Sequence, residues 1–262
     1  MGKYWDDRHR DIFEVKDYKL DFEPEWTPQW STLAYDIRRG KTKEVKKAIQ
    51  LDAQKRFHAR RKFRANGETA LHVCAEFGRV ELFKWMAAEY AGDIQGVNDA
   101  GETPLMIAAR EGKLAIVKMY VEDYQGQFDM ELKMKDGWTA LHYASMNGYA
   151  PVIEYLLTEG HADVNATDRL FKTCLHWAAR FNNVKVAHLL LEASAKPDMT
   201  DIEGYTPTEV ATKNLNPEVA RAIRYQLEVK KEEAERKKKI RAEKDKARRE
   251  KAAAERKAEE AK

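Results

Sequence analysis

The sequence has few cysteines and no long apolar run. Cys74 and Cys174 are its two cysteines, which excludes a disulfide-rich scaffold and indicates small core residues in a reducing compartment. No segment approaches the ~18 consecutive apolar residues of a membrane-spanning helix, and no apolar stretch follows the N-terminal charges. Asp6 stands where N-myristoylation needs Ser or Thr. We therefore expect no membrane span, signal peptide or lipid anchor.

Motifs that carry chemistry are also missing. The chain contains no Cys-x-x-Cys, His-Glu-x-x-His, phosphate-binding loop or Gly-x-Ser-x-Gly. His9, His58, His161 and His188 are scattered and have no neighbours suited to ligate a metal. No nucleophile stands at a recognisable spacing from a base. The sequence therefore predicts no catalytic residue, no cofactor and no metal site.

Charge is abundant and unevenly distributed. Charged residues make up 35% of the chain, whose net charge is +3. Residues 226–262 hold 15 of the 47 Lys and Arg residues but only 10 of the 44 Asp and Glu residues. This segment therefore carries a net charge of +5, and the remainder carries −2. The chain is a nearly neutral body with a basic tail.

A helix–turn–helix pattern is clearest at residues 137–148. Thr139 is a residue type that caps helix starts, and Leu141 and Ala144 then fall on one face of the helix that follows. Gly148 suits the left-handed turn that ends a helix. A second apolar run at helical spacing follows at residues 152–157. The pattern predicts a short helix, a tight turn and a second helix.

The same pattern recurs along the chain. Its other copies open at Gly67, Gly101, Phe171 and Gly204. A period of about 33 residues with a T-P-L-H-x-A core is typical of ankyrin repeats, and the chain resembles the ankyrin-repeat family from about residue 31 to residue 225. The resemblance implies an all-α ankyrin-repeat solenoid whose helix–turn–helix repeats carry β-hairpin fingers. It also implies protein binding without a single associated chemistry.

The resemblance implies a structural role for three histidines. His72, His142 and His176 stand at the histidine position of the family's motif, where the ring hydrogen-bonds around the helix start and the neighbouring loop. In the second clear repeat Met106 replaces this histidine. Phe171 replaces the opening glycine of the fourth repeat, which leaves the geometry of that turn open.

The repeat boundaries give a domain layout. An acidic and aromatic N-terminal arm (1–30) precedes a degenerate N-capping repeat (31–66). Four clear repeats, a C-terminal cap and a charged helical tail follow, at 67–100, 101–136, 137–170, 171–203, 204–225 and 226–262.

The N-terminal arm allows two interpretations. It contains Trp5, Trp26 and Trp30, and Pro24 and Pro28 argue against a helix at its end. The arm either covers the exposed end of the solenoid or acts as a peptide-like anchor whose aromatic side chains enter pockets on a partner.

A basic segment lies at the end of the capping repeat. Its cations are Lys55, Arg56, Arg60, Arg61, Lys62 and Arg64. The segment is either a solvated helix end or a contact patch for an acidic protein tail or a phosphate backbone.

The tail has the charge pattern of a long polar helix. Glu232 and Arg236, and likewise Asp245 and Arg249, form i,i+4 pairs in the favourable order. Charged residues at companion heptad positions argue against a self-standing coiled coil. The helix is therefore either solvated or lies on a large assembly.

The concave face is the predicted binding site. In this family the face consists of finger tips and the exposed side of the first helices. We call the predicted partner-binding residues of this face the concave set: Phe77, Arg110, Trp138, Met146, Arg180, Phe181 and Tyr205. Trp138 occupies the variable position of the repeat, between the opening glycine and the threonine, where the fold does not require an aromatic side chain. Aromatic and Arg-rich grooves are typical of protein interfaces, although some of these side chains could instead pack on neighbouring fingers.

These observations predict a non-catalytic scaffold or adaptor. We expect a cytoplasmic subunit of a larger intracellular assembly, with the arm and the tail as additional anchors. A cytoskeletal or ciliary assembly is the specific form, because acidic tubulin surfaces suit the basic segments. The alternative is a nucleic-acid-associated protein that contacts phosphates through Lys55–Arg64 and the tail.

Overall fold

The computed structural model describes residues 28–50, 66–89 and 93–260. These residues form twelve α-helices. In chain order they are α1 Pro28–Arg39, α2 Thr42–Gln50, α3 Ala70–Glu76, α4 Val80–Glu89, α5 Pro104–Arg110, α6 Leu114–Asp123, α7 Ala140–Asn147, α8 Ala150–Thr158, α9 Cys174–Arg180, α10 Val184–Glu192, α11 Pro207–Lys213 and α12 Pro217–Glu260. The predicted long charged C-terminal helix is confirmed as the distal part of α12.

The helices stack in two rows. The inner row consists of α3, α5, α7, α9 and α11, each packed on the next, and the outer row consists of α4, α6, α8, α10 and α12. Both helices of a repeat also contact each other. The predicted all-α ankyrin solenoid is confirmed.

The core is a continuous line of apolar side chains between the rows. Leu71, Leu105, Leu141 and Leu175 are all buried, which confirms the repeat register. Small residues such as Ala75 let the inner helices approach closely. Both cysteines are free and buried, and burial raises the pKa of each thiol. They are core residues, as predicted.

The fingers are tight hairpin turns. In the finger before α7, Met134 N–H donates to the Trp138 carbonyl at 3.0 Å, and the finger before α9 repeats this bond from Asp168 to Lys172. Within the described residues the one assigned bridge between two finger residues joins Thr167 and Thr173. These fingers are therefore closed by single ladder bonds and do not extend into strands.

Each finger is tied to the one before it. Lys135 N–H donates to the Ala100 carbonyl at 3.1 Å, and Arg169 N–H donates to the Asp136 carbonyl at 3.0 Å. The opening glycine sits at these contacts with a left-handed backbone, φ +82° at Gly137. Phe171 keeps the same turn, with φ +57°, because its own N–H bonds back to the Asp168 carbonyl. The fourth repeat therefore forms the same turn as the others, although it lacks the opening glycine.

Helix α1 corrects one expectation. Pro28 was expected to oppose a helix, yet α1 begins at this residue. Proline is tolerated in the first turn, where its missing N–H would have no intrahelical partner. Along the stretches that the structure describes, no helix is both long enough and apolar enough to cross a membrane.

Candidate functional site

In three repeats the motif histidine bonds the start of its own helix to the finger of the following repeat. Thr139 N–H donates to His142 Nδ1 at 3.2 Å, and the Thr139 hydroxyl lies 2.9 Å from the same nitrogen. A backbone N–H can only donate, so Nδ1 carries no proton. Nε2 therefore carries it and donates to the Lys172 carbonyl at 3.3 Å.

The same arrangement occurs at two other repeats. Nε2 of His72 bonds the Glu102 carbonyl and Nε2 of His176 bonds the Tyr205 carbonyl, each at 3.0 Å. The predicted hydrogen-bonding role of the three histidines is confirmed. The residue that receives each bond occupies the variable position of the next finger, so the histidines fix the backbone of the groove residues.

This role makes stability depend on pH. Burial lowers the pKa of His142 from 6.5 to about 4, and burial also lowers the pKa of His72 and His176. Because the unfolded chain then binds protons that the folded chain excludes, stability is complete above pH 6.5 and falls as pH decreases toward 4. His142 alone contributes a loss of about 2 kcal/mol between pH 6.5 and pH 5.

Urea unfolding at these two pH values measures this loss. In His142→Met, which copies Met106 of the second repeat, the pH dependence should shrink by about 2 kcal/mol. The exposed His188 on α10 provides the control, and His188→Gln should retain the full dependence. An unchanged pH dependence in His142→Met would contradict the locking role.

A buried polar network forms the first part of the groove. Arg110 donates to Glu102 Oε1 at 2.7 Å, and Asn98 donates to Glu102 Oε2 at 2.7 Å. The Tyr143 hydroxyl donates to the same carboxylate. Burial, with the Glu102 charge second, raises the pKa of Tyr143, so the phenol remains a donor. The network fixes the Arg110 guanidinium 5.9 Å from the centre of the Tyr143 ring.

An aromatic cluster forms the second part. The Trp138 ring lies 5.0 Å from the Tyr143 ring and 4.5 Å from the Trp177 ring. Trp177 stacks on Phe181 at 6.2 Å with the planes 14° apart, and its indole N–H donates to Asp168 at 3.1 Å. We call Trp138, Trp177 and Phe181 the aromatic row. It crosses from the finger before α7 to the end of α9.

Cations flank the aromatic row. The Arg180 guanidinium lies 5.8 Å from the Trp177 ring centre and 6.0 Å from that of Phe181. Lys172 Nζ lies 5.7 Å from the Trp177 ring centre and 4.0 Å from Asp201. Because Trp177 is only 5% exposed, the half-buried rings of Trp138 and Phe181 form the surface here, with Arg180 beside them. This surface suits a partner that offers both apolar and negatively charged groups.

The remaining members of the concave set lie at the two ends of the groove or inside it. Phe77 receives the Arg38 guanidinium at 5.6 Å, and Tyr205 receives Lys213 Nζ at 4.4 Å. Met146 is only 8% exposed and belongs to the core cluster. It therefore supports the groove from beneath.

Trp138 differs from the sequence expectation. The sequence suggested an exposed indole with no packing role. In the structure the ring is half-buried between Tyr143 and Trp177, so it contributes to both packing and surface. Truncation of Trp138 to alanine would therefore disturb both the packing of the repeats and the surface of the groove.

The sequence did not single out Glu102, Tyr143 and Trp177. Tyr143 and Trp177 share one repeat position, which holds Val73, Ile107 and Val210 in the other copies. Aromatic side chains at a position that is otherwise aliphatic were the available signal. The role of Glu102 could not be read from one repeat, because its partners Asn98, Arg110 and Tyr143 come from three repeats.

Several predicted site residues lie outside the described residues. These are Lys55, Arg56, Arg60, Arg61, Arg64, Trp5 and Trp26. Trp30 belongs to α1, but its side chain is not described. The nucleic-acid alternative depends on this basic segment and stays a prediction.

Sequence comparison places the repeats among known proteins. The family model for ankyrin repeats matches residues 91–168 and 160–233, which together span more than half of the chain. Neurogenic locus notch homolog protein 1 from Xenopus tropicalis is 35% identical over 145 residues, 55% of this chain. The human homolog 1 has the same identity over the same length, and human homolog 2 is 32% identical over 135 residues.

These alignments are local. They cover 6%, 6% and 5% of the respective relatives, so the similarity concerns the repeats and not the whole of those proteins. Ankyrin repeats are protein–protein interaction modules and are typically non-catalytic. The extended family match, the buried leucine register and the histidine-locked fingers together show that this chain belongs to the ankyrin-repeat family.

Proposed function

We propose that this protein is a non-catalytic scaffold or adaptor that binds a partner protein across its concave face. The observation that carries the proposal is the aromatic row, in which the half-buried Trp138 and Phe181 pack on the buried Trp177 across two repeats, beside Arg180 and Lys172. Rigid aromatic side chains with nearby Arg are the residues that dominate binding energy at protein interfaces.

The groove favours a partner segment that carries both apolar and acidic side chains. Arg110 is ion-paired with Glu102 and Glu111 and Lys172 lies 4.0 Å from Asp201, while the Arg180 guanidinium lies over the rings of Trp177 and Phe181. A segment with an apolar or aromatic side chain next to a carboxylate would contact the rings and the cations together. The backbone that presents these groups is held by His142 and Asp168, so little ordering is needed on binding.

Two further anchors complete the proposal. Helix α12 continues past the repeats, and its described side chains from 235 to 245 are exposed, so the tail offers a long charged surface. We propose that the tail and the N-terminal arm attach the repeats to a larger intracellular assembly in the cytoplasm. A cytoskeletal or ciliary assembly is the specific form we favour, and acidic tubulin segments have the charge that α12 would attract.

Charge reversal on opposite faces of one repeat tests the proposal. Arg180 ends α9 beside the aromatic row, and Lys185 is exposed on α10 in the outer row. Proteins are recovered from cell extract with the tagged full chain, and the affinity of each recovered protein is then measured with purified variants. Arg180→Glu should weaken binding by about tenfold or more, while Lys185→Glu should bind like the original chain.

Thermal unfolding of both variants separates lost binding from lost folding. Equal binding by Arg180→Glu and the original chain, at equal stability, would refute use of the concave face. Binding that disappears only when residues 226–262 are removed would assign the partner to the tail.

A further inference from the structure

The end of the solenoid has an uncovered face. From α3 onward each repeat is covered by the next one through both helix rows, but in the described part of the chain no later helix packs on the outer side of α11 and α12. A cleft of about 760 Å³ opens there between Thr212 and Glu228. Leu215 is 86% exposed and Tyr225 is 66% exposed at this cleft.

Leu215 is an unfavourable residue for a solvent-facing turn. Its backbone is left-handed, with φ +59°, at the position that Gly78, Gly112 and Gly148 fill in other repeats. A leucine in this conformation costs free energy, and at 86% exposure it recovers little by burial within the chain. The strain and the exposure together point to contact with another molecule.

The exposed stripe of α12 has a charge order that can pair with itself. Glu218, Arg221, Tyr225 and Glu228 recur at three- and four-residue spacing and are all exposed, so they share one face of the helix. An antiparallel copy centred between residues 224 and 225 places Arg221 opposite Glu228.

We propose that this stripe is a homodimer interface, in which α12 of one copy packs antiparallel on α12 of a second copy. Two-fold symmetry makes each contact occur twice, which gives two attractive Arg221–Glu228 pairs. Tyr225 lies next to the axis, where it meets Arg224 of the second copy. Leu215 lies at the edge of the stripe, where the second copy's α12 covers it.

The charge order favours a second copy over an unrelated partner. A parallel arrangement in register would set Arg221 of one copy against Arg221 of the second copy. The tails leave the interface in opposite directions, so the dimer presents two concave faces, and each remains open to its own partner. The interface is separate from the groove, and its test does not depend on the groove.

Mixing charge-reversed variants tests the proposal on the full chain. Sedimentation at up to about 100 µM should give the original chain a mass of twice 30.3 kDa. Arg221→Glu alone and Glu228→Arg alone each create like-charge pairs, so each should dimerise at least about tenfold more weakly. An equimolar mixture of the two variants should recover the dimer, because every pair between them is attractive, and the double variant should also recover it.

The control is Lys185→Glu, which reverses one exposed charge on α10 and should dimerise like the original chain. A monomeric original chain would overturn the proposal, as would single variants that dimerise normally. A mixture that stays monomeric would also overturn it, because both chains in that mixture carry complementary stripes.

Discussion

Leu141→Ala is expected to destabilise the protein by about 2–5 kcal/mol. Leu141 is 2% exposed and lies on α7, which packs against both α5 and α9. Neighbouring repeats hold the site from two sides, so the cavity left by truncation cannot collapse completely. Urea unfolding monitored by circular dichroism measures the loss.

Leu170→Ala is the matched control for this loss. Leu170 lies on a finger tip and is 45% exposed, so the same chemical change should cost about 0.5 kcal/mol or less. Similar losses in the two variants would contradict the placement of Leu141 in the stacked core.

Gly137→Ala is expected to cost about 2–4 kcal/mol, from backbone strain and a steric clash together. Gly137 has φ +82°, and a Cβ there would lie 2.7 Å from Arg169 N and 3.0 Å from Asp168 C. Both atoms belong to the backbone of the next finger, so neither can rotate away. The variant would push apart the two fingers that carry Trp138 and Lys172.

Gly204→Ala isolates the strain from the clash. Gly204 has φ +83°, but a Cβ there meets nothing within 4 Å. This variant should therefore cost only about 1 kcal/mol. Equal losses at the two glycines in thermal unfolding would mean that finger-to-finger contact does not explain the requirement for glycine at Gly137.

The sequence predicted what one repeat determines by itself. Period and apolar spacing located Leu141 in the core, and the motif position predicted that His142 bonds around its helix start. The left-handed turn at Phe171 was less accessible, because the bonds that hold it come from Asp168 and from the neighbouring finger. The helix start at Pro28 was missed because proline opposes helix interiors but not first turns.

The groove was only partly predictable for a related reason. Trp138 was recognised from its variable position, but its contact with Trp177 joins residues 39 apart in the chain. Tyr143 likewise reaches back to Glu102 in the preceding repeat. Such contacts depend on how consecutive repeats stack, which the pattern within one repeat does not specify.

The histidine locks connect the fold to the proposed function. The carbonyl bonded by His142 belongs to Lys172, and the carbonyl bonded by His176 belongs to Tyr205. Both acceptors lie in the variable positions of the fingers. The same interactions that join the repeats therefore hold in place the groove from which we propose that a partner is recognised.

Residue-level labelling of the chain with and without its recovered partner tests the central claim most directly. Hydroxyl-radical labelling reports on aromatic side chains, and the two rows supply probes on opposite faces. We predict that binding reduces labelling of Trp138, Phe181 and Tyr205 and leaves that of Tyr155, on α8 in the outer row, unchanged. Protection of Tyr155, with unchanged labelling of the other three residues, would contradict recognition through the concave face.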